Sequence, residues 1–157
     1  MKQQVDRILG YILVTLMAAM TLDVLWGVLT RYIMGSQASW SEELARFLLI
    51  WIGILGAAYA SGQKMHLAID LLSTSVSPKN QKLLNRVIGA LVILFALLVL
   101  VIGGSRLIYI TLRLGQLSPA LRLPMSLVYA VVPISGLLVI FYKIWEWRSA
   151  PEPQTQD

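Results

Sequence analysis

The 157-residue sequence contains no cysteine and only one histidine. The missing cysteines exclude disulfides, thiolate metal sites, cysteine nucleophiles and iron–sulfur clusters, and a single histidine excludes bis-histidine haem ligation within the chain. Charged residues make up only 13% of the chain, about half the share of a typical soluble domain. Because 57% of the residues are hydrophobic, the composition favours an integral membrane protein over a soluble enzyme or a disordered chain.

The apolar residues are gathered in four long blocks. A bilayer core of about 30 Å is crossed by about 20 helical residues, so the blocks predict four membrane-spanning helices in a single membrane domain over residues 1–149. The predicted spans are residues 8–34, 40–62, 78–114 and 123–146. The segment between the second and third spans predicts a short interfacial amphipathic element. The Pro-rich tail at residues 150–157 predicts disorder.

Four spans place both termini on one side of the membrane. If that side is the cytoplasm, eight of the Lys and Arg residues lie in inner segments and five in outer segments. This distribution favours cytoplasmic termini by the positive-inside rule. The fold class is therefore predicted to be an all-α integral membrane protein with four transmembrane helices and both termini cytoplasmic.

The second span begins with a compact polar sequence. Ser39 followed by Glu42 has the spacing of a capping box, which predicts a helix start at this point. Glu42 and Arg46 are one turn apart and can form an ion pair. The segment is interpreted either as a capped helix end among the lipid headgroups or as a contact with another subunit.

Small residues follow on the same helix. Gly53, Ala57 and Ser61 form a ladder of the kind that lets helix backbones approach closely in lipid, within the chain or against a partner. After the span, His66 and Asp70 have the spacing of an i, i+4 pair, for which a local hydrogen bond is favoured over a catalytic base.

Prolines and arginines mark the second half of the chain. Pro124 is predicted to help start the fourth span, and Pro133 is predicted to bend it or to open a gap that a neighbour fills. Arg106 and Arg113 lie on one helix face with Tyr109 between them, where snorkelling to the headgroups is the default explanation.

Asp23 lies inside the first span, where an unpaired acid suggests a function. A structural hydrogen bond is favoured over a transport role, because one acid without a second ionisable group near it in the membrane makes a poor proton relay. The chain also lacks paired intramembrane carboxylates, a glycine-rich phosphate loop and clusters of metal ligands. The residues therefore predict an accessory membrane subunit that is not an enzyme.

The sequence resembles a known family, the DctQ or SiaQ type of small membrane subunit of tripartite ATP-independent periplasmic (TRAP) transporters. The resemblance covers nearly the whole chain. The segments that carry it are Arg31-Tyr32, Trp40 to Arg46, Trp51 to Ala60, His66 to Asp70, Ser118 to Leu121, Leu123-Pro124, Tyr129 and Pro133.

The resemblance implies a static scaffold subunit in the bacterial cytoplasmic (inner) membrane. In such systems a periplasmic binding protein delivers an organic anion, often a dicarboxylate or sialic acid. A large subunit then imports it by a sodium-driven, elevator-like motion. The implied partners are this large subunit, the binding protein and membrane lipids, without nucleic acid. No cofactor is expected, and sodium is expected only in the large subunit.

The resemblance also suggests roles for individual residues. The candidates for the large-subunit interface are Arg31, Trp40, Glu42, Glu43, Arg46, Trp51, Gly53, Ala57, Ser61, His66 and Asp70. Candidates for contact with the binding protein or with lipid are Arg106, Arg113 and Arg122, and Pro124 and Pro133 are expected to be structural. The alternative hypothesis is a small homodimeric proton-coupled exporter with Asp23 as the coupling acid.

Overall fold

The computed structural model describes residues 2–36, 38–63 and 78–148, with residues 78–82 described by their backbone alone. Four helices in this part are long and apolar enough to cross a membrane, which confirms the prediction of an all-α membrane protein. The elements in chain order are α1 (Lys2–Met34), α2 (Ser39–Gly62), α3 (Pro78–Phe95), a π-helical segment (Ala96–Gly103), α4 (Gly104–Arg113), α5 (Met125–Tyr129) and α6 (Val131–Arg148). The orientation of the termini stays a prediction, and the interfacial segment and the tail lie outside the described residues.

The first helix is longer than its apolar block. It begins at Lys2 rather than near residue 8, because the polar residues ahead of the block continue the same helix. One of them, Asp6, accepts a hydrogen bond of 2.6 Å from the Tyr142 hydroxyl at the far end of the chain. This bond fixes the first turns of α1 against α6.

The capping box predicted at Ser39 is not formed. The helix α2 does start there, but the N-cap residue is Ala38, and no side chain caps the helix. Instead, the Ala38 carbonyl accepts the main-chain N–H groups of Ser41 (3.1 Å) and Glu42 (3.4 Å). Glu42 pairs with Arg46 at 3.2 Å, as its spacing predicted.

The sequence predicted one regular helix for the third span, but the structure shows an irregular one. Eight residues within it, Ala96–Gly103, are π-helical, a form that is rare in proteins. Gly136 packs against this segment so closely that an added Cβ would lie 2.8 Å from the Leu100 Cβ. One end of the π-helix meets a second tight contact, because a Cβ on Gly104 would lie 2.9 Å from the Pro133 Cδ.

The fourth span is interrupted near its proline, as predicted. Helix α5 follows directly after Pro124 and ends at Tyr129, and α6 begins at Val131. Pro133 has no N–H group, and its ring clashes with the carbonyl four residues earlier, which breaks a regular helix at this point. The Trp51 indole N–H donates to the Val128 carbonyl oxygen at 3.1 Å, so a neighbouring helix supplies a donor beside the interruption.

The helices pack in the order α1, α2, α6 and then the third span. The core cluster joins the first three of these through Leu9, Leu55, Val131 and Tyr142. Helices α2 and α6 are therefore the two inner helices, and α2 is held by α1 on one side and by α6 on another. The part of its surface that neither helix covers is the candidate functional site.

Candidate functional site

Five residues of α2 form one exposed line along the helix, which we call the open stripe. It consists of Glu42, Arg46, Leu49, Gly53 and Ala57. The spacings of three and four residues place them on one face of the helix. All five are exposed although α2 packs against both α1 and α6. The open stripe thus runs from the polar start of α2 down its apolar length.

The open stripe is charged at the end nearest the start of α2. The Arg46 guanidinium lies 3.2 Å from the Glu42 carboxylate, and the two side chains are 65% and 64% exposed. An exposed pair of this kind contributes about 0.3–0.5 kcal/mol. Both side chains can therefore rearrange toward a partner at small energetic cost.

In the second half of α2, the open stripe consists of small residues. A Cβ added to Gly53 would meet nothing within 4 Å, and the same holds for the neighbouring Gly56. Gly62, on the same helix, has the opposite environment, since a Cβ there would lie 2.6 Å from the Tyr142 ring. Ser61 is also buried within the chain. The predicted ladder is therefore divided, with Gly53 and Ala57 open and Ser61 inside.

Glu43, next to Glu42 in sequence, points into the protein. It is 8% exposed, and its Oε2 accepts the main-chain N–H groups of Ala120 (2.7 Å) and Leu121 (3.0 Å). Its Oε1 is buried without a hydrogen-bond partner among the described residues. Glu43 thus connects α2 to the loop before α5, in contrast to the surface position that the interface prediction assumed.

The remaining interface candidates lie at different depths. Trp40 and Arg31 are exposed at the same end of the bundle as Glu42. Trp51 is half-buried, with its indole N–H used inside the chain. His66 and Asp70 lie outside the described residues.

Among the described residues, nothing forms the structural hydrogen bond to the Asp23 carboxylate that the sequence favoured. Asp23 is 7% exposed, and neither of its carboxylate oxygens has a partner among the described residues. Its main-chain oxygen accepts the Ser41 hydroxyl at 3.2 Å. Asp23 therefore lies beside the first turn of α2 rather than beside the middle of α2.

The outer arginine candidates are all exposed. The Arg113 guanidinium carbon lies 5.1 Å from the centre of the Tyr109 ring, within the range of a cation–π contact. Arg106 and Arg122 are exposed on α4 and on the loop before α5. Within the described ranges, no group of three or more His, Cys, Asp or Glu residues could hold a metal ion.

Comparison with known proteins identifies the family. Residues 20–150 match the family described as tripartite ATP-independent periplasmic transporters, DctQ component. The chain belongs to the DctQ family.

Three relatives of this DctQ-family chain illustrate the range of proteins that contain such a sequence. A Haemophilus influenzae protein assigned as a TRAP transporter small permease protein is 30% identical over 86% of the chain and 82% of its own length. The C4-dicarboxylate TRAP transporter small permease protein DctQ of Rhodobacter capsulatus is 31% identical over 68% of the chain and 47% of its own length. The isethionate TRAP transporter permease protein DctMQ of Oleidesulfovibrio alaskensis is 32% identical over 66% of the chain, which is 16% of that protein.

The chain is accordingly a small permease subunit of a TRAP transporter. It is a multi-pass protein of the inner membrane and a component of transport rather than an enzyme. Small subunits of this family work with a large permease subunit. Family membership leaves no support for the alternative of an independent exporter.

Several polar contacts within the chain were not anticipated from the sequence, and two of them are instructive. Lys143 is buried on α6 and pairs with Glu146 at 2.8 Å, and Glu43 binds a loop 77 residues away. The i, i+3 spacing of Lys143 and Glu146 was a signal that could have revealed the first contact. No local pattern marks the second, because only the fold brings the loop to α2.

Proposed function

We propose that the chain is a static scaffold subunit, and that the open stripe of α2 is where the large permease subunit packs. The observation that carries this proposal is that α2, although it packs between α1 and α6, leaves one face uncovered along its length. That face contains glycine and alanine where neither α1 nor α6 approaches.

The chemistry of the open stripe favours a protein helix over lipid as its neighbour. In a bilayer, helices associate through van der Waals packing of surfaces that fit closely, and small residues allow that close approach. Gly53 and Ala57 form a shallow depression that a partner helix can enter. The Glu42–Arg46 pair near the start of α2 offers a hydrogen-bond acceptor and a hydrogen-bond donor to polar groups of the same partner.

The relatives support a partner of this kind. In the isethionate permease protein DctMQ, the segment similar to this chain makes up 16% of a longer permease protein. A segment like this chain is therefore covalently joined there to further permease sequence. The same association with a large permease subunit is proposed for the present chain.

The finer parts of the function follow from the family resemblance and from the names of the relatives. C4-dicarboxylate and isethionate, which the names of two relatives contain, are both organic anions. We expect the present system to import an organic acid delivered by a periplasmic binding protein. The solute and the driving sodium ions would bind in the large subunit, which would move against the scaffold like an elevator. An uptake assay with and without a sodium gradient would test this part.

The interface is tested by placing the same side chain at two open glycines. Gly53→Leu puts a bulky group into the open stripe, whereas Gly10→Leu puts it on α1, where a Cβ also meets nothing within 4 Å. The chain is co-expressed with the large subunit and purified in mild detergent, and the recovered large subunit is quantified. Gly53→Leu is expected to lower recovery about tenfold, which corresponds to about 1.4 kcal/mol of lost association energy. Gly10→Leu should leave it unchanged.

Equal recovery from the two variants would contradict the assignment of the open stripe. Recovery of the wild-type chain alone, without any large polytopic partner, would contradict the scaffold function itself.

A further inference from the structure

The third span buries four residues over the part that the structure describes with side chains, residues 83–113. They are Gly89, Ala96, Gly104 and Thr111. The intervals between them are seven, eight and seven residues. Two turns of an α-helix take about 7.2 residues, so the intervals of seven keep side chains on one face. Eight residues overshoot two turns by about 80°, so in a regular α-helix Gly104 and Thr111 would leave the face that Gly89 and Ala96 share.

The long interval coincides with the π-helical segment. Ala96 is the first residue of that segment, and Gly104 directly follows its last residue. Phe95 and Gly104, on either side of the segment, have ordinary α-helical dihedral angles, so the departure from the α-helix is confined to the segment. A π-helical hydrogen bond joins residues five apart rather than four. A π-helical turn therefore holds one residue more than an α-helical turn, which is the excess of the long interval over the intervals beside it.

The buried face contacts the fourth span on both sides of the π-helical segment. Before the segment, a Cβ on Gly89 would lie 2.8 Å from the Trp147 Nε1 atom, and after it a Cβ on Gly104 would lie 2.9 Å from the Pro133 Cδ. The close approach of Gly136 to the segment itself lies between these two contacts. At each of these levels the two spans are closer than an added Cβ would allow, so the third span cannot turn freely about its axis. The same face has to meet the fourth span at both ends.

The additional residue is accommodated on the side away from the fourth span. Ala96 is the buried residue of the segment, Leu100 and Val101 are half-buried beside Gly136, and the others are exposed. The exposed residues are Leu97, Leu98, Val99, Ile102 and Gly103. The wider turn thus bulges toward the surroundings of the chain, where removing one residue takes away no buried side chain.

We propose that the π-helical segment is a register device, which stores one residue more than an α-helix would and thereby keeps α3 and α4 on one common face toward the fourth span. It positions α4 and the loop that follows. The Thr111 carbonyl accepts the Gln116 N–H at 3.1 Å, and further along the loop the Ala120 N–H donates to Glu43 on α2 at 2.7 Å. If α4 were turned by about 80°, Thr111 would leave its buried place and the loop would be carried away from α2. This role belongs to the chain itself and does not depend on the partner that covers the open stripe.

The test compares two deletion variants of the full chain by thermal unfolding in detergent. Deleting Val99 removes the stored residue, so the segment should become α-helical without a change in the contacts on either side. The melting temperature is expected to stay within about 2 °C of the wild type, as for a surface substitution. The control deletes Val14, also an exposed valine, from the regular helix α1. That deletion turns the residues on one side of it by about 100° and removes Leu9 or Asp23 from its buried place, so it should lower the melting temperature by at least about 4 °C.

Thiol labelling shows directly whether α4 keeps its orientation. The chain has no cysteine, so Thr111→Cys and Leu112→Cys each introduce a single thiol, the first at a buried position and the second at an exposed one. N-ethylmaleimide should label the thiol at position 112 about tenfold faster than the thiol at position 111, because a buried thiol reacts only after local opening. The same order is expected when Val99 is deleted, with the numbering of the full chain kept. If the deletion turned α4 instead, residue 112 would take the buried place of Thr111 and the order would reverse.

Two results would overturn the register device, and both leave the scaffold function intact. One is an equal melting temperature of the two deletion variants, since the place of the deletion would then not matter. The other is a reversed labelling order in the Val99 deletion variant, since the wide turn would then not have held the additional residue. A wild-type labelling order together with the smaller loss of stability would support the proposal.

Discussion

Replacing Gly136 by alanine tests the closest contact between the fourth and third spans. A Cβ at this position would lie 2.8 Å from the Leu100 Cβ, 2.9 Å from the Val101 Cγ2 and 3.2 Å from the main-chain oxygen of Ala96. Ordinary van der Waals contact with a Cβ begins at 3.4 Å. The Leu100 Cβ and the Ala96 oxygen cannot rotate away as a side-chain end can, so the two spans have to move apart.

The magnitude follows from a comparison with Gly53. Forcing an extra carbon into a packed site costs about 1–3 kcal/mol, whereas alanine is about 1 kcal/mol better than glycine inside a helix. A Cβ on Gly53 meets nothing within 4 Å, so Gly53→Ala is expected to gain the stability of the better helix former without any cost from a clash. The difference between the two variants therefore isolates the cost of the clash. At about 2–4 °C per kcal/mol, Gly136→Ala should melt roughly 2–12 °C below Gly53→Ala.

The assay is thermal unfolding of the isolated chain in detergent, followed by circular dichroism at a fixed protein and detergent concentration. The isolated chain is used because the large subunit would cover Gly53 and change the control. If Gly53→Ala melts as low as Gly136→Ala, the assignment of one glycine to a packed contact and the other to an open face is refuted.

Two further substitutions probe individual polar groups. Trp51→Phe removes the donor to the Val128 carbonyl, a hydrogen bond worth about 1 kcal/mol, and should lower the melting temperature of the chain by about 2–4 °C. The control is Trp40→Phe, at a more exposed tryptophan, which should leave the melting temperature unchanged. Equal shifts in the two variants would show that the Trp51 hydrogen bond contributes nothing to stability. Asp23→Asn removes the charge of a buried carboxylate that has no partner among the described residues, so it should not lower the melting temperature, and uptake by the assembled transporter should stay within about twofold. Loss of uptake with intact assembly would instead give Asp23 a coupling role.

The spans were predictable because their signals are local. Runs of apolar residues long enough to cross a bilayer predict helices wherever they occur. The proline at position 124 and the polar segment at Ser39 predict helix starts within two residues of those observed. The Glu42–Arg46 pair was predictable for the same reason, since its geometry belongs to one helical turn.

The π-helical segment was not predictable. The sequence from Ala96 to Gly103 reads as ordinary apolar helix, and nothing in its composition marks the change in hydrogen bonding. The close approach of Gly136 accompanies it, and that contact joins residues more than thirty positions apart. The capping box was wrong for a local reason: the helix begins one residue earlier than the box requires, with Ala38 as its N-cap residue.

The sequence by itself therefore determined the number of membrane-spanning segments and, through its resemblance to a known family, the assignment as a small permease subunit of a TRAP transporter. Only the tertiary structure decided which side chains are available to partners. Glu42 and Glu43 are chemically similar neighbours, yet one is exposed beside Arg46 and the other is buried against the loop at Ala120. Adjacent residues of a helix point about 100° apart, and which direction meets protein depends on segments distant in the chain. Local propensity can form a helix, but its faces are distinguished only when the other helices pack against it.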